Sequence, residues 1–167
     1  MNFDITILEK MLWSGVVGIG FAMLFNVPKR LLLSIFITAL VAGLIKFGSL
    51  ANGLGVISAS LFAATFTGFV SIPISRYTHT SPFVISIPSV IGMIPGYFGY
   101  KTLLGILHIA LQKNPGNESL ILLSIIHNGL NMIFVLGSLS LGVSLPWLLF
   151  KDNVLKKIKI KESDDWV

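Results

Sequence analysis

The stretch Ile87–Tyr97, IPSVIGMIPGY, puts two prolines, two glycines and a serine inside an otherwise apolar run. Each proline lacks an amide N–H and restricts the residue before it. Gly92 and Gly96 accept dihedrals closed to other residues. An unbroken helix through this stretch is therefore not expected, and its surroundings decide what the break means.

Those surroundings are strongly apolar. Of 167 residues, 54% are hydrophobic and 11% charged, with a mean hydropathy of +0.87. Average soluble chains carry about 25% charged residues, and a soluble fold of this size needs polar groups this chain lacks. The fold class is all-α integral membrane. Residues 1–150 read as a single transmembrane helical domain and 151–167 as a charged cytoplasmic tail. The absence of cysteine excludes disulfides and thiol chemistry. The net charge of +5 is spread over segment ends and the tail, which fits contact with membrane lipid and not with nucleic acid. Asp4 and Glu9 stand where a cleaved signal peptide would be positive, so none is expected.

Five apolar segments are expected: about Ile5–Phe25, Leu31–Phe47, Leu54–Ile74, Pro82–Gln112 and Ser119–Phe150. About 20 helical residues cross ~30 Å of hydrocarbon, so the first three fit one crossing each. Asn–Pro–Gly chemistry makes KNPGNES (113–119) a loop, with Ser119 as a candidate N-cap. With five crossings, Lys29, Arg30, Arg76 and the tail lysines share one side, while Lys10, Lys46 and Lys113 lie on the other. The Lys/Arg bias then puts the C-terminus in the cytoplasm and the N-terminus outside.

Gly55, Ala59, Ala63, Thr67 and Ser71 recur every fourth residue and form a small helix-packing face. Ser60, Ala64 and Gly68 form a second row, and Ser14, Gly18 and Ala22 repeat the spacing in the first segment. In the fifth segment, Ser124, His127, Asn128 and Asn131 share a face. Facing lipid would leave these groups without partners, so they must meet protein or water. They read either as part of a functional route or as an interhelical hydrogen-bond clamp.

Non-helical backbone at membrane depth survives where it is buried in protein or lines water. Amides freed at a half-helix N-terminus attract anionic groups, carboxylates included. Here Gly96 would open a helix through Tyr97, Tyr100 and Lys101 to His108, and its amides and Lys101 would both favour a carboxylate. The alternative is a proline kink repaired by neighbouring helices.

Two motifs, GIGFAMLFNVPKRLL (Gly18–Leu32) and IPSVIGMIPGYFGYKTL (Ile87–Leu103), resemble the ThrE-type threonine/serine exporter family, in particular its small YjjB-like half. The resemblance covers about Gly15 to Leu149. It rests on Pro28, Pro88, Pro95, Gly96 and Tyr100; Ser89 and Gly92 depart from the family's usual Gly and Pro. It implies a subunit of a secondary transporter in the cytoplasmic (inner) membrane. The exported substrate would be threonine, serine or a small carboxylate such as succinate. Proton coupling and a separately encoded YjjP-like membrane partner are also expected, and a homo-oligomer is compatible. The candidate substrate or pathway residues are Pro88, Ser89, Gly92, Pro95, Gly96, Tyr97, Tyr100, Lys101, His127, Asn128 and Asn131. A non-transporting assembly subunit is the alternative. No enzyme is expected: the chain lacks H-E-x-x-H, G-x-S-x-G and paired intramembrane aspartates, and no catalytic residue, metal or cofactor is assigned.

Overall fold

The computed structural model describes the backbone of residues 3–111 and 118–164, and the side chains of 6–111 and 119–150. The described residues form helices α1 (Phe3–Leu24), α2 (Leu32–Ala51), α3 (Val56–Thr78), α4 (Pro82–Ile91), α5 (Gly96–Leu111) and α6 (Glu118–Asp164), with one 3-10 turn at Lys29–Leu31 before α2. Four helices are long and apolar enough to cross a membrane, and there are five spans when α4 and α5 are counted together. The chain is an all-helical, multi-pass membrane protein. Most of the expected loop at 113–119 lies outside the described residues. Ser119 is inside α6, which starts at Glu118, so it does not cap the helix. α2 runs four residues beyond the expected end at Phe47, to Ala51.

Small residues set how closely the helices approach. α1 and α2 pack as an antiparallel pair in which a Cβ on Gly18 would meet the Ala39 Cβ at 2.8 Å. α3 and α6 pack side by side and run in the same direction. A Cβ on Gly68 would strike the Val143 carbonyl at 2.9 Å, and one on Gly142 the Ala64 Cβ at 2.6 Å. Ala59, Ala63, Thr67 and Ser71 are all buried, whereas Gly55 is the exposed N-cap of α3 and stands off this face. Dispersion between such close backbones replaces the hydrophobic drive that lipid cannot supply.

The hydroxyls are mostly satisfied within their own helices. Thr38, Thr65, Thr67 and Ser89 donate to the carbonyl four residues back, and Ser71, Ser75 and Ser138 to the carbonyl three back. This lets a polar face be buried without a partner helix supplying acceptors. Ser60 and Ser86 are the exceptions among the described residues: both are buried and neither hydroxyl has a partner.

α4 is a half-helix wedged among α1, α2 and α3. Its ten residues rise about 15 Å, half of a ~30 Å hydrocarbon layer. After Gly92–Pro95 the chain turns by 56° into α5. α5 packs antiparallel on the first half of α6 and has no buried residue. The second half of α6 instead packs on α3.

Candidate functional site at the helix break

The break is built from both sequence motifs. Gly18 of the first motif sits beside Pro88 of the second: its Cβ would lie 3.6 Å from the Pro88 carbonyl. A cleft of about 420 Å³ opens between the α1–α2 connection, at Phe25–Pro28, and the start of α4, at Phe83–Pro88. Pro88 and Ser89 are buried within α4. The Ser89 hydroxyl donates to the Ile85 carbonyl at 2.8 Å and reaches the Ile35 carbonyl of α2 at 3.5 Å. Gly92 ends α4, where a Cβ would meet Val17 of α1 at 3.1 Å.

Pro95 is buried, and its carbonyl accepts the first amides of α5, from Phe98 at 3.1 Å and Gly99 at 3.4 Å. Gly96 opens α5, as the Pro–Gly pattern predicts, but it is exposed, with open space where a Cβ would go. Tyr97 and Tyr100 are each 62% exposed. The exposed Lys101 places its ammonium 4.8 Å from the Tyr97 ring centre, a cation–π contact. These three residues therefore share the outer surface of α5 and do not point into the interior of the single chain.

The polar face of α6 divides in the same way. Asn128 is buried and donates to the Ser124 carbonyl at 2.7 Å and to its hydroxyl at 3.2 Å. Asn131 is half-buried and His127 is exposed. Among the described residues, no hydrogen bond joins any of them to the break. Where the chain lies in lipid, the polar tip of His127 needs a protein or water neighbour that the described residues do not supply.

The charge inside the break belongs to Lys46, which sequence reading placed with the loop lysines of one membrane side. It is 6% exposed, and its ammonium donates to the Met93 carbonyl at 2.6 Å. Met93 lies between the two half-helices, so its carbonyl is available to a side chain. A buried ammonium needs compensation for its lost hydration, and a hydrogen bond from a charged donor, worth ~1.5–3 kcal/mol, supplies part of it. The available signal was register: Ile35, Ala39, Ala42 and Lys46 fall on one face of α2.

Residues 10–149 match the family model described as "Threonine/Serine exporter, ThrE". An "Uncharacterized protein" of Haemophilus influenzae is 28% identical over 148 residues, covering 89% of this chain and 49% of that protein. The chain thus spans about half the length of the curated relative it matches. No solved structure matches the chain.

Proposed function

The chain belongs to the threonine/serine exporter ThrE family, and from that premise we propose that it is one membrane subunit of a secondary transporter in the inner membrane. The exported substrate is threonine, serine or a small carboxylate such as succinate, and export is coupled to protons. The observation that carries this reading is the broken fourth span: a ten-residue half-helix enters the bundle and ends at Ile91, the chain restarts as a helix at Gly96, and between them the buried Lys46 ammonium meets the Met93 carbonyl. A passive anchor has no use for that break, whereas a substrate site at mid-membrane does.

The reading includes a second, YjjP-like membrane module. Its support is the α5–α6 hairpin, with an α5 that buries nothing and polar His127 and Asn131 on the neighbouring helix. The relative's extra length is room for such a module in one chain. In the assembled transporter, Tyr97, Tyr100 and Lys101 would face the partner across the route and help orient the carboxylate.

Export of threonine, serine and succinate from cells expressing the chain, with and without the product of a neighbouring membrane-protein gene, tests the reading. Gly96→Leu combined with Lys101→Ala is expected to lower export severely. Open space at Gly96 makes misfolding an unsuitable explanation for such a loss. Unchanged export would remove this face from the route. A partner that transports at full rate alone would leave this chain as an assembly subunit. His127→Leu with Asn131→Leu should weaken co-purification of the partner.

A further inference from the structure

Three buried features lie at about the same level of the bundle. Lys46 stands five residues before Ala51, the end of α2, and Ser60 four residues after Val56, the start of α3. Both therefore lie about 6–8 Å from the turn joining two helices that pack together. Met93 packs in the same cluster as Ala42 and Ala63, one helical turn from Lys46 and Ser60 respectively. Lys46 has one hydrogen bond among the described residues, to the Met93 carbonyl. An ammonium carries three donors, and no carboxylate stands beside this one among the described residues. Ser60 is 0% exposed, and its hydroxyl has no partner.

We propose that this tier is a carboxylate-binding site. Lys46 is the charge that holds the anion, and the Met93 carbonyl takes the anion's place when the site is empty. A neutral carbonyl is a weak substitute for a carboxylate, which makes charge-assisted hydrogen bonds and compensates a buried cation. The Ser60 hydroxyl is available for a second carboxylate oxygen. Met93 lies between Gly92 and Gly96, so the backbone can withdraw when the anion displaces it. Release of Met93 frees the junction of α4 and α5, so anion binding and a change in their bend are one event. The site rests on the exporter reading for the identity of the transported anion, not for its chemistry.

The test uses the full chain in membrane vesicles with Ser60→Cys as the single thiol, since the sequence has no cysteine. A small methanethiosulfonate reagent reports the thiol's accessibility. Acetate, succinate and threonine are the probes, with ethanolamine as the carboxylate-free control. The expected result is labelling slowed several-fold by at least one carboxylate and not by ethanolamine. Lys46→Met should abolish the protection and Lys46→Arg should keep it; if Lys46→Met does not reach the membrane, Lys46→Gln gives the comparison. An unreactive thiol, labelling that no carboxylate slows, or equal protection without Lys46 would overturn the site. Protection without export of threonine, serine or succinate would keep the site and remove the exporter reading. Export without protection would do the reverse.

Discussion

At the scale of single residues, the bundle depends on glycines where backbones touch. Gly142 is the tightest contact of α3 with α6: a Cβ there would lie 2.6 Å from the Ala64 Cβ and 2.9 Å from the Thr65 amide nitrogen. Neither neighbour is the far end of a flexible side chain, so the helices must move apart. Gly142→Val is expected to destabilise the protein by about 1–3 kcal/mol, read as a lower midpoint of thermal unfolding in detergent. Gly137, one and a half turns earlier, has open space around it, and Gly137→Ala should change stability by no more than ~0.5 kcal/mol. Equal effects would mean that close packing on α3 does not hold α6. The small-residue rows were legible because spacing alone defines them. Lys46 was not. A lysine near the expected end of a span reads as one that reaches for water, and only the docking of α4 against α2 closes that path.

At the scale of elements, the break was legible because proline and glycine act on the backbone locally. Its direction was not: proline and glycine permit a break, but the 56° angle also depends on what α4 and α5 each pack against. α4 is held by three helices and α5 by the first half of α6 alone. The half-helix start at Gly96, expected to be buried in protein or to line water, faces open space among the described residues. If Pro95 and Gly96 create the bend, Pro95→Ala with Gly96→Ala should partly straighten it. Spin labels on cysteines placed at Ile87 and Leu103, both exposed, would then move toward the ~24 Å of a straight helix. An unchanged distance distribution would show that packing, not local sequence, sets the angle.

At the scale of the whole molecule, five crossings put the α1–α2 connection, the α3–α4 turn and the end of α6 on one side. The Arg30 guanidinium donates to the Thr78 carbonyl at 3.2 Å, which ties the first two of these together. From the excess of Lys and Arg in those segments we propose that this side is the cytoplasmic one. Asn26→Cys and His79→Cys are therefore expected to react with impermeant thiol reagents only from the cytoplasm, and Asn52→Cys only from outside. Labelling of Asn26→Cys and Asn52→Cys from the same side would remove the crossing made by α2. The long α6 adds a mechanical property to this arrangement. It is clamped to α3 near Gly142 and carries α5 on its distant first half. Such a clamp would act as a fulcrum, with the 24 residues from Ser119 to Gly142 as a lever arm of about 35 Å. A tilt of roughly 10° at the fulcrum sweeps the far tip through about 6 Å, the height of one helical turn, so a small adjustment at the α3 contact becomes a large stroke where α5 rides.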